Sequence, residues 1–174
     1  MRCNANVMSC RGVHFALTEE EIARLRSFAD DKERLCHLME VIETQYFSGD
    51  RRFVGESDKA WDAMHRVLTD GSLDPDGGQY PLNRTVLGGE SLYAAADYIL
   101  SLKTPQEVRD IAAALLAITE ADFRQRYFAI DVESYAVSLS EDDLEYTWEW
   151  FQDVRDFYTR AASAGRHVLF TVDQ

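Results

Sequence analysis

The chain has no long hydrophobic run, and cysteine and proline are rare, with 3 residues of each among 174. No stretch approaches the roughly 20 consecutive apolar residues of a membrane helix, and the first ten residues lack the apolar segment of a signal peptide. The cysteines Cys3, Cys10 and Cys36 show no CxxC spacing, which predicts neither a disulfide framework nor a zinc ribbon. We therefore expect a soluble, cytoplasmic protein with reduced thiols.

Basic residues are also scarce: 18 Lys and Arg face 31 Asp and Glu, for a formal net charge of −13. Nucleic-acid binding needs clustered Lys and Arg against phosphates, and binding to an anionic membrane needs a polybasic patch. The charge therefore argues against both of these partners and favours a basic protein partner. Residues 131–174 carry 10 acidic and 3 basic side chains, a net of −7 and more than half of the imbalance.

Apolar residues make up 46% of the chain, enough for a hydrophobic core, and their spacing predicts about seven helical segments. Two of these helices begin with capping-box signatures, Thr18 with Glu21 and Thr104 with Glu107. The predicted fold is a single α+β domain over residues 1–174, with the helices packed on a small mixed or antiparallel sheet.

Three or four short strands are expected to form that sheet. Residues 12–17 are predicted as a short strand before a helix, and alternating β-branched residues predict a strand at 167–172, so both chain ends are expected to help build the sheet. Residues 98–102 fit a strand or the end of a helix, and 48–56 is predicted as a polar loop. Residues 1–10 are expected to be poorly ordered.

The first candidate site lies on the helix predicted around residues 58–66. Trp61 and His65 are one turn apart on one face, and a histidine beside a carboxylate such as Asp62 can act as a general base. Lys59 would add a positive charge. The alternative is a structural histidine packed against Trp61 with its nitrogens bonded to the backbone.

The second candidate is the segment with Arg84 and the pair Gly88–Gly89, followed by Glu90. Two glycines before a helix can present backbone amides to an anion, with Arg84 as a further ligand and Glu90 as a candidate acid or base. The segment lacks the GxGxxG and P-loop patterns, so the alternative is a tight turn that needs a positive φ. The scattered histidines show no metal-binding spacing, so neither a metal nor a cofactor is expected.

The third candidate is the long last helix, which carries two aromatic stripes. One stripe is assigned to the core. The other holds Tyr146, Trp150 and Phe157 on a different side, among acidic residues that include Glu149 and Asp153. These residues form either a second buried face or a protein-binding surface, because Trp and Tyr are common interface anchors.

Two motifs together resemble the YfbM-like family of bacterial proteins, a domain of unknown function. They are Asp58-Lys59-Ala60-Trp61-Asp62 with His65 and Leu68-Thr69, and Pro81-Leu82 with Arg84 and Val86-Leu87-Gly88-Gly89. Weaker similarity extends the resemblance from about residue 13 to 172, although Met64 replaces the usual Leu. The resemblance implies a single α+β domain and supplies no reaction.

Two functions from different classes remain open. The favoured one is a non-enzymatic, acidic protein-binding module with an immunity-like or adaptor role, because an acidic surface steers a basic partner towards it. The alternative is a small enzyme or small-ligand-binding domain with a pocket near the Trp61–His65 helix and the Gly88–Gly89 turn. In that pocket His65, Arg84 and Glu90 would converge, and Trp61 would contact the ligand.

Overall fold

The computed structural model describes residues 10–95 and 97–173 and is centred on one antiparallel sheet. Its strands are β1 (Gly12–Leu17), β2 (Val54–Asp58), β3 (Glu90–Ser91), β4 (Tyr98–Lys103) and β5 (His167–Asp173). They pair in the order β2-β1-β5-β4-β3, and every neighbouring pair is antiparallel. The expected poor order of residues 1–10 falls outside the described residues except at Cys10, which lies in an exposed turn.

The helices form two groups along the chain. They are α1 (Glu19–Arg26), α2 (Asp31–His37), α3 (Thr44–Ser48), α4 (Trp61–Leu68), α5 (Pro105–Leu116), α6 (Glu120–Tyr127) and α7 (Glu141–Ser163). A π-helical stretch, Leu38–Glu43, joins α2 to α3. Within the described ranges, no helix has the length and apolar character needed to cross a membrane.

Each face of the sheet has its own hydrophobic core, because alternate residues of a strand point to opposite sides. Phe15, Leu100 and Leu169 pack with α1, α3 and the π-helical stretch on one side. Val168 and Phe170 pack with α4 to α7 on the other side. The molecule therefore has three layers, helices on both faces of an antiparallel sheet, and the predicted α+β fold is confirmed.

The first and last strands, β1 and β5, pair with each other inside this sheet, and the prediction that both help to build it is confirmed. β1 pairs with β5 so that His14 lies opposite Phe170 and Leu17 lies opposite His167. His14 and His167 are therefore on opposite faces and cannot form a shared site.

The prediction of a polar loop at 48–56 is wrong at its end, because Val54 begins β2. This strand pairs with β1, which lies about 40 residues earlier in the chain, and local sequence patterns do not reveal so distant a partner. The next helix consequently starts at Trp61, after a turn in which Asp58 has a φ of 42°.

Candidate functional site

His65 occupies the buried face of α4 and has no exposed surface. Its Nε2 lies 3.0 Å from the carbonyl oxygen of Asp74. Because a carbonyl can only accept, Nε2 carries the ring proton and donates a hydrogen bond to that oxygen. Burial is the main cause that lowers the pKa of His65, which keeps the ring neutral. Its Nδ1 is buried and has no hydrogen-bond partner in the described structure. His65 therefore fastens the loop after α4 and does not face solvent as a general base.

The charged residues predicted to surround His65 point elsewhere. Lys59 is exposed, and Asp62 accepts a 2.6 Å hydrogen bond from Nε of Arg66, a buried arginine. Glu90, on the edge strand β3, forms an ion pair with Arg26 at the molecular surface. These side chains do not converge, so the predicted catalytic set is not assembled around His65.

The Gly88–Gly89 pair forms a tight, closely packed turn. The Gly88 amide already donates to the carbonyl of Asn83, and a Cβ at Gly88 would lie 2.4 Å from that oxygen. Gly89 has a φ of 147° and sits against the carbonyl of Leu102. Arg84 lies 3.9 Å from a carboxylate oxygen of Glu107, in a loose ion pair. The Gly88 amide is thus used within the turn, and an anion site formed by Arg84 with the Gly88–Gly89 amides stays a prediction.

A buried lysine lies between strand β4 and the segment before the Gly88–Gly89 turn. Lys103, at the end of β4, is fully buried, and its Nζ donates to the carbonyl of Val86 at 2.6 Å and to both oxygens of Ser101 at 3.0 Å. Burial lowers the pKa of Lys103 well below its usual value, and the carboxylate of Glu107 acts in the opposite direction. Lys103 therefore ties the segment around Val86 to the sheet.

His14 lies in the same core, enclosed by aromatic rings. The centroid of its ring is 4.8 Å from that of Phe170, 5.8 Å from Tyr158 and 5.9 Å from Phe157. It is fully buried, and neither ring nitrogen has a hydrogen-bond partner among the described residues. Burial, and then the charge of Lys103, lower the pKa of His14 well below 6.5.

The aromatic residues predicted on the second stripe of α7 divide between core and surface. Phe157 is fully buried and packs over Gly55 of β2, where a Cβ would lie 2.6 Å from the ring. The prediction that Phe157 anchors a partner is therefore wrong, because α7 is buried on two sides at this turn. Tyr146 is half-buried and donates a 2.7 Å hydrogen bond to Asp58, while Trp150 is half-buried with its edge towards Tyr146.

Five carboxylates follow the outer face of α7, and we name them the acidic ridge. They are Asp142, Glu145, Glu149, Asp153 and Asp156, all exposed. None of the five side chains has an ion pair or hydrogen bond with any part of the chain that the structure describes. Their spacing of three and four residues places them in one row about 21 Å long, at 1.5 Å per residue.

Two shallow depressions flank the acidic ridge. One, of about 340 Å³, is lined by Trp148 together with Phe123 and Leu144. The other, of about 290 Å³, is lined by Trp150 with Gly55 and side chains of β2 and of the 3₁₀ turn before it. A row of unpaired negative charges therefore runs between two half-buried tryptophans.

A family model described as a domain of unknown function, DUF1877, matches residues 8–171. The chain belongs to the DUF1877 family. The resemblance to YfbM-like proteins is thereby confirmed. The crystal structure of YfbM from Escherichia coli, described as a protein of unknown function, is similar with a TM-score of 0.63 and 22% identity, covering 93% of this chain and 99% of that chain. At this identity the likeness shows the fold alone, and no curated protein matches the chain.

The most unusual residues of this DUF1877 protein are ones that its sequence does not single out. Lys103 ends a strand, where a lysine is ordinarily exposed, and His14 lies in a strand with no local partner. The alternation of β4 places Lys103 with Ser101 and opposite Leu100 and Leu102, which by itself predicts an outward direction. In the residues that are described, no group of three His, Cys, Asp or Glu side chains is placed to hold a metal ion.

Proposed function

We propose that this DUF1877 protein is a non-enzymatic binding module and that its acidic ridge binds a basic segment of another protein, in an immunity-like or adaptor role. The observation that carries the proposal is the row of five carboxylates without partners, because exposed acids elsewhere on the molecule are often paired. Glu141 at the start of the same helix, for example, forms an ion pair with Arg124.

The chemistry of the ridge favours a partner rich in Lys and Arg. Unpaired carboxylates attract a cationic surface over about a Debye length and raise its association rate at low salt. Trp148 and Trp150 add aromatic surface on both sides, where a guanidinium or an aliphatic side chain can pack. The enzymatic alternative has less support, because His65 is enclosed and its predicted neighbours do not converge.

The test begins with capture of a partner from bacterial lysate at low and at high salt. The captured protein is identified and purified, and its association rate is then measured against defined variants. Glu145→Gln with Glu149→Gln removes two of the five ridge charges, and we expect at least a several-fold slower association that is less sensitive to salt.

The matched control removes two exposed carboxylates from the opposite helical layer, Glu20→Gln with Glu33→Gln. This variant has the same net charge as the ridge variant but an intact ridge, so the association rate should stay close to that of the wild type. If the two variants slow association equally, then the net charge of the protein controls the rate and the ridge has no special role. If no partner is captured at low salt, the proposal is without support.

A further inference from the structure

A hollow of about 410 Å³ lies away from the acidic ridge, where α1, α3 and the turn between α7 and β5 meet. Its walls include Phe53, Tyr46 and Arg166, and the carboxylates Glu21 and Asp50. The proposed protein-binding function does not use this hollow.

Arg166 is a half-buried guanidinium without a strong acceptor. Its Cζ lies 4.4 Å above the ring of Phe53. Its Nη1 makes only two long contacts of 3.4 Å, to the carbonyl of Ala16 and the phenol oxygen of Tyr46. Across the described structure no carboxylate lies within 4.0 Å of Arg166, and its Nε and Nη2 donate to no protein oxygen.

The contact with the Phe53 ring holds this guanidinium in the wall of the hollow, and the edge formed by Nε and Nη2 has no partner in the described structure. Such an edge matches the two oxygens of a carboxylate, and the bidentate pair is among the stronger hydrogen-bonded contacts in proteins. Arg166 is therefore prepared to hold a carboxylate in a fixed orientation.

The carboxylates of Glu21 and Asp50 differ in whether an oxygen remains free to accept a hydrogen bond from a ligand. Both oxygens of Asp50 accept from the side chain of Arg52. Oε2 of Glu21 accepts from Thr18 and from the phenol of Tyr46, whereas Oε1 has only a 3.5 Å contact with the Gln45 amide. Oε1 of Glu21 is thus an open acceptor for a cationic donor.

The open positive and negative groups of the hollow lie close together. The phenol oxygen of Tyr46 contacts Arg166 at 3.4 Å and Glu21 at 2.9 Å, so one atom bridges them. The charges of Arg166 and Arg52 balance those of Glu21 and Asp50, so a simple anion has no net attraction to the hollow. A neutral molecule with opposite charges a few ångströms apart is the better match.

We propose that this hollow binds a small zwitterion, a free α-amino acid, with its carboxylate on Arg166 and its ammonium group on Glu21. The side chain of the ligand then lies against Phe53. The remaining volume admits a side chain of modest size. The charged ammonium and carboxylate groups of the ligand therefore determine binding more than its side chain does.

The first test is calorimetric titration of the full chain with each of the common free L-amino acids. The best binder is then compared with its N-acetyl derivative, which lacks the ammonium group, and with its amide, which lacks the carboxylate. We expect each derivative to bind at least about tenfold more weakly. Equal binding of either derivative, or no binding of any amino acid at millimolar concentration, would overturn the proposal.

The second test uses variants that should keep the fold. Arg166→Lys retains the charge but loses the fork, and Glu21→Gln removes the charge while glutamine still supports the capping box of α1. Each should weaken binding at least about tenfold, with an unchanged circular dichroism spectrum. Arg126→Gln, an exposed arginine on α6, is the control and should bind like the wild type. An Arg166→Lys protein that binds normally would refute the assignment.

Discussion

Replacing His14 by leucine should stabilise the protein, although His14 lies at the centre of the sheet. The side chain is fully buried, and neither of its ring nitrogens has a partner in the described structure. A buried polar group without a hydrogen bond costs about 1–3 kcal/mol, and His14 has two such atoms. Leucine has a similar volume and no polar atom.

The gain is reduced by the ring contacts that leucine loses. His14 packs against Phe170, Tyr158 and Phe157, and aromatic contacts contribute about 0.5–1.5 kcal/mol each beyond their buried area. The two unpaired nitrogens cost about 2–6 kcal/mol and the three ring contacts contribute about 1.5–4.5 kcal/mol, so we expect a net increase of about 1 kcal/mol in the free energy of unfolding at pH 7.5. For a chain of this length, that corresponds to a rise of roughly 2–4 °C in Tm.

The same substitution should change how stability depends on pH. Burial holds the pKa of His14 well below 6.5 in the folded state, so below pH 6.5 the unfolded chain binds a proton that the folded chain does not. Stability of the wild type is therefore lost as the pH falls below 6.5, at up to about 1.4 kcal/mol per pH unit. At pH 5 the advantage of His14→Leu should be larger than at pH 7.5, by up to about 2 kcal/mol.

Urea unfolding followed by circular dichroism at pH 7.5, 6 and 5 would measure these changes. His65→Leu is the comparison, because it removes one unpaired nitrogen but also breaks the bond to the Asp74 carbonyl. Its change in stability should be less favourable by about 1 kcal/mol or more. If His14→Leu destabilises the protein, or retains the pH dependence of the wild type, then His14 is either hydrogen-bonded or charged and the reasoning fails.

Three further predictions concern the same core. Phe157→Ala should lower the free energy of unfolding by about 3–5 kcal/mol in urea titrations, and a change below that of Trp150→Ala would contradict its core position. Gly55→Ala places a Cβ 2.6 Å from the Phe157 ring and should cost about 1–3 kcal/mol by thermal unfolding. Lys103 has a lowered pKa, so between that pKa and 10.5 the unfolded chain binds the extra proton and stability rises with pH. Lys103→Met should remove this rise, measured at pH 7.5, 8.5 and 9.5.

The local signals of the sequence predict the helices well, because their causes are also local. The capping boxes at Thr18 and Thr104 are both present, with each threonine hydroxyl accepting from the amide three residues later. Gly165 adopts a φ of 63° just after α7, as a glycine that ends a helix is expected to do.

The features that the sequence does not predict depend on contacts between distant residues. β2 is a short edge strand whose partner, β1, lies about 40 residues earlier in the chain, so its Gly, Glu and Ser residues indicate a loop. Phe157 shares a stripe with Tyr146 and Trp150, but only the position of Gly55 beneath it decides that it is buried. Similarly, the contacts between Arg166, Tyr46 and Glu21 join three elements that no sequence motif connects.

The distribution of basic residues explains why the ridge on α7 remains unpaired. Several of them are used inside the fold to bind backbone carbonyls: Lys103 binds that of Val86, Arg34 those of Leu25 and Phe28, and Arg66 that of Ser134. Arg34 and Arg66 in addition pair with acids of their own helices, Asp31 and Asp62. Bases held in this way are not free to reach the acids of α7. With 31 acidic and 18 basic residues, at least 13 acids have no base to pair with one to one, and on α7 five of the unpaired acids form the continuous row that we propose a basic partner neutralises.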